Sequence, residues 1–397
     1  RMPLRHLSML LAALGVIVAA RAFQVQVVSA DATLARPVLA VLADGTYRYQ
    51  DNPRLLAAAR DLIPRGRILD RHGVPLAFNA ITGETSSAAA SGCGERAVRC
   101  YALGGRTYHL LGDLGTERDW AASNTSFVER DAAARLRGFD DHATRVTVPR
   151  PGGEGSIVLL RRDYSELIPL VRHRGRPNHP DVQRLLRSAR DLRLTIDARL
   201  QAGVADLVRE RLAAGKHDRA AVIVLDVGTR EVLASVSHPW PDLDSGEFAP
   251  DTRLDRVRYG LYPPGSAFKL VTGIAALTRG PLFAERAFSC ERLPGGSAGR
   301  RIPGWVRPIR DDVLDAEPHG SVTLRHGLAV SCNAYFAQLA VAMGPQALRD
   351  TAREFDISVA AGDAPARLRA TLPFAGFGHG EVVTTPARLA QVVATIA

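Results

Sequence analysis

Lysine is the scarcest charged side chain in this sequence. Of 51 Lys and Arg positions in 397 residues, only Lys216 and Lys269 are lysine. A lysine that persists against such a background points to a task closed to guanidinium, which does not lose its proton in proteins. Other scarcities exclude whole classes. Four cysteines (Cys93, Cys100, Cys290 and Cys332) are too few for a disulfide scaffold in a chain this long. Cys93 and Cys100, in SGCGERAVRC, could close a small loop in an oxidising compartment or stand as two free thiols in a surface insertion. The 11 histidines form no HExxH and no Cys/His pairing at zinc spacing, so neither a metal nor another cofactor is expected. The net charge is +10, yet no Lys/Arg run reaches five residues. Nucleic acid is therefore not an expected partner, and the charge suits a solvated surface facing anionic lipid or an acidic polymer. No repeat period is visible.

With 46% hydrophobic and 23% charged residues the chain reads as globular, with room for two or three domains. Leu7 to Ala20 is apolar apart from Ser8, and Arg21 ends the run. Such a run is short for a spanning helix and also fits a signal-peptide core or a buried helix. Arg1 and Arg5 before it, and the lack of a small-x-small cleavage site followed by a polar start, favour a single-pass anchor. Residues 29–60 read as a connector with some helix, and IPRGRILDRHGVPLAFN as strand, turn and strand around Arg71, His72 and Gly73. Residues 82–105, rich in Gly, Ser and Ala, read as a loop. A mixed, charged stretch follows to about residue 190. LTID then ends in Asp197, an N-cap for the helical pattern ARLQAGVADLVRERLAAG. AAVIVLDVGTREVLASVS reads as a buried hairpin turning at Gly228. Helix followed by hairpin suggests an antiparallel sheet with helices packed on it.

In YPPGSAFKLVTGIAAL, Pro263, Pro264 and Gly265 stop what precedes, and the helix that follows is apolar nearly all round, hence buried. Ser266 opens it, where free N–H groups and the helix dipole favour negative charge on its oxygen. Lys269, three residues on, shares that face. An apolar setting lowers a lysine's pKa, and a neutral amine beside a hydroxyl can act as a general base. The alternative is a plain N-cap beside a snorkelling surface lysine. Further on, HGLAVSCNAYFAQLAVAMG reads as two helical segments interrupted at Ser331, Cys332 and Asn333. Ser-x-Asn alone is usually a cap or turn. As partners of Ser266 and Lys269, Ser331 could relay a proton to a leaving amine and Asn333 could hold a substrate amide.

RGRILDRHGVPLA, LTID with Gln201, PPGSAFK, SCN and GFGHGEVVTTPARLA, in this order, resemble the class B penicillin-binding proteins, membrane-anchored D,D-transpeptidases of peptidoglycan synthesis. The resemblance implies an α/β (α+β) fold. Residues 191–397 would form a β-lactamase/transpeptidase-like domain of antiparallel sheet and helices. A mostly β pedestal of the dimerisation type would span residues 29–190, and an anchor residues 1–28. It implies Ser266 as the nucleophile on the bond between two terminal D-alanines, Lys269 as its base, Ser331 as the proton relay and Asn333 as the residue orienting substrate and lysine. Implied partners are peptidoglycan stem peptides, β-lactams, the membrane and a polytopic lipid II polymerase. The protein would sit in the inner membrane with a periplasmic catalytic domain. The family's third motif, Lys-Ser/Thr-Gly, is absent, since no lysine follows Lys269. A piece truncated at the C-terminus is therefore expected, inactive by itself, and the start at Arg1 rather than Met leaves open whether residues precede it. His72 stands where the family usually has Asn. GFGHG lacks the spacing of a nucleotide loop and reads as structural, leading to a helix capped at Thr384 or Thr385. The rival classes are a serine carboxypeptidase or β-lactamase-type hydrolase, against which the pedestal hairpin argues, and a noncatalytic β-lactam sensor or scaffold.

Overall fold

In the computed structural model the described residues are 2–42, 45–80, 99–114, 126–150, 153–243, 249–315, 317–360, 362 and 364–397. A helix runs from Met2 to Phe23 and continues through a widened turn, Gln24–Val28. Its apolar stretch, His6–Val28, has 23 residues. At 1.5 Å per residue that is about 34 Å, enough to cross a hydrocarbon core of about 30 Å. The sequence pattern ended this run at Ala20. The helix instead passes Arg21, whose guanidinium lies back along the surface on Gln24 (2.7 Å) and leaves the backbone ladder intact. Leu10, Val16 and Ile17 are exposed, with no protein packed over them.

From there to about residue 190, strands alternate with short helices. Val38–Val41 pairs with Tyr47–Gln50, and Thr144–Pro149 with Ser156–Arg161, both antiparallel. The Pro53–Leu62 helix, capped by Asn52, buries Leu55 and Ala59 against Tyr164, Leu167, Leu170 and Val182. The expected strand-turn-strand is present as Ile68–Leu69 and Pro75–Asn79. Asp70 Oδ1 accepts from the N–H groups of His72 and Val74, and Gly73 takes φ +86°, a conformation glycine adopts at least cost. Of the stretch read as a loop, residues 82–98 lie outside the described residues, but Arg99–Tyr101 is a buried strand on Pro75–Asn79. Composition missed it because its anchor is distant in sequence. Arg99 meets Glu129 (2.8 Å), a fully buried carboxylate that also takes Arg65. Cys100 is disulfide-bonded; Cys93 lies outside the described residues.

Leu192–Arg193 closes that sheet by pairing in parallel with Ile68–Leu69, the only parallel pair among the described strands. The chain then enters the Ala198–Gly215 helix. Asp197 caps it by accepting from Arg199 and Leu200, and Asp70 reaches across from the hairpin turn to accept from Ala198 (3.1 Å). His72 meets Asp197 at 3.2 Å. Two carboxylates thus serve one helix N-terminus, where free N–H groups favour anionic oxygen. Gln201, wholly buried, donates to the carbonyls of Arg106 and Ser235 and accepts from the Ser235 N–H, tying helix, hairpin and preceding region together.

Ala220–Leu225 and Val232–His238 form the expected antiparallel hairpin. The left-handed residue of its turn is Arg230 (φ +66°), not Gly228. The Ala198–Gly215 and Pro386–Ile396 helices pack on it, the latter capped by Thr385. A second antiparallel sheet orders Ile309–Arg310, Ala298–Arg300, Phe288–Arg292 and Gly320–Val322. The Asn333–Met343 helix packs on this sheet and the Lys269–Thr278 helix packs on that helix, with Phe268, Val271, Tyr335, Phe336 and Leu339 buried.

Candidate active site

Ser266 lies in a tight 3-10 turn, Gly265–Phe268, and the α-helix begins one residue after that turn, at Lys269. The sequence placed Ser266 at the start of the α-helix itself. Gly265, at φ +57°, tightens the entry instead. The turn exposes Ser266 while Phe268 and Lys269 point inward, Lys269 only 2% exposed. GFGHG braces this turn. The N–H of Gly265 donates to the carbonyl of Gly378 (3.1 Å), and Thr272 Oγ1 donates to the carbonyl of Gly376 (2.8 Å). Any Cβ on Gly378 would come within 2.1 Å of the Gly265 carbonyl oxygen, and one on Gly376 within 2.5 Å of the Phe336 carbonyl oxygen. Close backbone approach therefore accounts for these glycines.

The Lys269 ammonium is the hub. It donates to Ser331 Oγ (2.9 Å), to the Ser331 carbonyl and to Asn333 Oδ1 (2.7 Å), and lies 5.7 Å from the centre of the Phe336 ring. Burial pushes its pKa down from 10.5 to about 8, with the carboxylates of Asp311 and Asp315 opposing the shift by their negative charge. Ser331 occupies the left-handed region at φ +54°, rare for a residue with a side chain, and there presents both of its oxygens to one nitrogen. Asn333, the first residue of the Asn333–Met343 helix, is oriented by donating from Nδ2 to the Arg310 carbonyl (3.0 Å). The fold therefore gathers Lys269, Ser331 and Asn333 into one cluster, with Ser266 one turn before Lys269 on the exposed side. Among the described residues no hydrogen bond joins the Ser266 hydroxyl to Lys269.

Beneath this cluster is a group of residues that the sequence pattern did not single out. Cys332, the middle residue of Ser331-Cys332-Asn333, accepts from the N–H of Tyr335 and so caps the helix (3.3 Å). Its thiol donates to Asp311 Oδ2 (3.3 Å), as does that of Cys290 (3.0 Å), while Asp311 Oδ1 accepts from the Ala334 N–H (3.0 Å). His319 Nδ1 lies 3.3 Å from the same carboxylate oxygen without a hydrogen bond of proper geometry. Burial pushes the Cys290 thiol up to about 11 and raises that of Cys332 as well. The ligand atoms of Cys290, Asp311, His319 and Cys332 all fall within 4.8 Å of one another. Two sulfurs, one imidazole and one carboxylate suit a tetrahedral divalent ion of the zinc type. The sequence pointed away from a metal because these four residues are spread over 43 positions on separate elements and show no zinc-type spacing.

Residues 220–397 match the penicillin-binding protein transpeptidase domain. The chain is 31% identical over 210 residues to the peptidoglycan D,D-transpeptidase PbpA of Mycobacterium tuberculosis, a match covering 45% of this chain and 40% of that protein. It is 30% identical over 225 residues to FtsI of Escherichia coli, covering 53% and 35%. The matches thus span well under half the length of these curated relatives. In fold it resembles the crystal structure of PBPA from M. tuberculosis, with a TM-score of 0.58 at 21% identity over 84% of this chain and 70% of that one. It also resembles PBP2 of Helicobacter pylori in its complex with MreC, with a TM-score of 0.55 at 16% identity over 85% and 76%. The domain that carries Ser266 and Lys269 is a penicillin-binding transpeptidase domain. Over that domain the chain is similar to the peptidoglycan D,D-transpeptidases PbpA and FtsI.

Proposed function

We propose that the protein is a peptidoglycan D,D-transpeptidase that works through an acyl-enzyme on Ser266. The observation that carries this is Lys269: a buried amine, depressed to about 8, held by Ser331 and Asn333 one turn from an exposed serine. At pH 7 roughly a tenth of such an amine is neutral, against well under a thousandth at an ordinary lysine pKa. As an ammonium it spends three hydrogens on three acceptors. Once neutral it has two hydrogens and a lone pair, so one contact is released and the nitrogen can take the proton of Ser266. Ser266 Oγ attacks the carbonyl between the terminal D-alanines, with its own N–H stabilising the oxyanion. Lys269 returns the proton through Ser331 to the departing amine, and Asn333 holds the stem-peptide amide. The side-chain amine of a neighbouring stem then displaces Ser266 and forms the crosslink.

Residues 1–28 would anchor the chain in the inner membrane, 29–190 would form a pedestal, and 191–397 would carry the chemistry in the periplasm. The long apolar helix at the N-terminus supports this order. A polytopic lipid II polymerase would supply nascent strands. β-Lactams would block Ser266 by mimicking the D-Ala-D-Ala end, as acyl-enzyme structures of the M. tuberculosis relative do with ceftriaxone, imipenem and penicillin G. The test uses the natural full-length protein. It should label stoichiometrically with fluorescent penicillin, lose the label in Ser266→Ala, and join two stem peptides in the presence of an acceptor amine. Release of D-alanine without joined product would identify a carboxypeptidase, and labelling without any D-alanine release a sensor.

A further inference from the structure

In the region before residue 190, two imidazole rings lie face to face. His173 ends the Ile168–Arg172 helix, and His179 caps the Pro180–Leu186 helix. Residues 174–178 between them form an exposed turn. The chain doubles back there because the N–H of Arg176 donates to the His173 carbonyl (2.7 Å) and that of His179 to the Arg176 carbonyl (3.0 Å). The two ring centres end 3.5 Å apart, with their planes within 10° of parallel. Asp181 completes the group: one ligand atom from each of His173, His179 and Asp181 falls within 4.8 Å of the others.

The neighbouring core does not account for this pairing. Ile168, Leu170 and Val182 fill it, while the two rings stay half-buried at its edge. Among the described residues the His173 ring makes no hydrogen bond, which leaves its nitrogens uncommitted. His179 Nδ1 accepts from the Asp181 N–H over a long 3.3 Å. Arg184 holds Asp181 Oδ1 at 2.9 Å and leaves Oδ2 facing His179 Nδ1 at 3.6 Å.

We propose that His173, His179 and Asp181 form a binding site for one divalent transition-metal ion of the zinc class, which staples the turn between two helices. Two imidazoles and one carboxylate are donors of that class, whereas calcium or magnesium would ask for a shell of oxygens. Nitrogens held at about 2.1 Å by one tetrahedral ion stand roughly 3.4 Å apart, close to the separation of these rings. Stacked rings aim their lone pairs along parallel lines, so binding must splay the rings until those lone pairs converge. The exposed turn allows this, and Gly175 within it has open space around it. Arg184 supplies the outer partner that orients the carboxylate. The Ile168–Arg172 helix rests on Ala30–Ala35, and Arg172 pairs with Asp31. A stapled turn therefore stiffens the part of the molecule that receives the long N-terminal helix. The site shares no residue with the Cys290 cluster, and its test must be local.

The experiment uses the natural full-length protein, stripped with a chelator and then given zinc or, in parallel, magnesium. Diethyl pyrocarbonate modifies accessible neutral imidazoles, and peptide mass spectrometry reads the rate at each histidine. At zinc ten times its Kd, His173 and His179 should react about tenfold more slowly than in stripped protein, because only the free fraction reacts. His142, exposed elsewhere in the same region, should react equally in both. Trypsin cleavage after Arg174 and Arg176 should slow with zinc by a similar factor, relative to cleavage elsewhere in the chain. Magnesium should change neither reading. In His173→Gln and in Asp181→Asn, both with a parent-like melt in the absence of zinc, most of the protection of His179 should be lost. Equal modification with and without micromolar zinc, equal protection by magnesium, or undiminished protection of His179 in His173→Gln would each overturn the proposal. None of these readings uses penicillin or a stem peptide, so they stand apart from the transpeptidase reading.

Discussion

Lys269 sets the terms at the scale of the residue. Its side chain is enclosed by the Phe336 ring and the Ser331–Asn333 turn, and burial is what lowers its pKa to about 8. An arginine there keeps the charge but cannot take a proton. Lys269→Arg should therefore fold, with some loss of stability from overpacking, about 1–3 kcal/mol, read as a lower melting temperature. Its penicillin acylation rate should drop on the order of a hundredfold to ten-thousandfold. A folded variant acylating within a few-fold of the parent would show that the lysine serves some other purpose. The same residue gives a pH signature. Because the neutral amine is the base, acylation should rise about tenfold per pH unit up to about pH 8 and level off above it, measured with fluorescent penicillin on protein checked for folding at each pH. A flat profile from pH 6 to 8 would rule Lys269 out as the titrating base. The sign for stability follows from linkage. The folded pKa lies below the unfolded value, so the burial penalty is present in full below pH 8. It is relieved as pH rises from 8 to 10.5, where the unfolded chain holds the extra proton.

The element that positions the nucleophile is the glycine stretch Gly376–Gly380, lodged between the Ser266 turn and the Asn333–Met343 helix. Two of its glycines share a left-handed backbone, Gly378 at φ +79° and Gly380 at φ +74°, but not the same surroundings. A Cβ on Gly378 meets the Gly265 carbonyl at 2.1 Å, whereas one on Gly380 meets nothing nearer than Thr371 Cβ at 3.3 Å. Gly380→Ala should thus cost only the backbone penalty, about 1 kcal/mol. Gly378→Ala should cost several times more and also slow acylation, because the Ser266 turn itself must shift. Thermal melts and labelling rates on both variants decide this, and equal effects would mean that the close approach is not what the glycine provides.

Across the whole molecule, the region before residue 190 and the transpeptidase domain are joined through several polar contacts, of which the Asp70 turn is one. Asp70, 1% exposed, satisfies the N–H groups of His72, Val74 and Ala198 at once. Asp70→Ala leaves a turn and a helix N-terminus without their acceptor, each unmet buried donor costing about 1–3 kcal/mol. The expected outcome is a lower melting temperature and faster proteolysis near residues 190–197, with the Ser266 labelling rate of the folded fraction unchanged. A parent-like melt would show the Asp70 contacts to be dispensable. At the other end, the exposed His6–Val28 helix predicts that the protein stays with membranes through high-salt and carbonate washing. Recovery as a soluble protein with a new N-terminus near residue 30 would instead identify a cleaved leader.

Short-range physics made part of this legible from the sequence. A Pro-Pro-Gly stop, an aspartate before a helical repeat, a glycine in a hairpin turn and a lone lysine three residues from a serine each act through neighbours a few positions away. They marked the Ser266–Lys269 helix, the Asp197 cap, the Gly73 turn and the antiparallel hairpin. Tertiary structure alone decided what depends on distant residues meeting. Sixty-odd residues separate Lys269 from the oxygens of Ser331 and Asn333 that meet it, and only the burial that tertiary packing gives its nitrogen depresses its pKa. The strand Arg99–Tyr101 exists because Pro75–Asn79 and Glu129 receive it, against a local composition that read as loop. Cys290, Asp311, His319 and Cys332 form no pattern along the chain, since a ligand set is defined by distances in space, and those were fixed by the packing of one sheet against one helix.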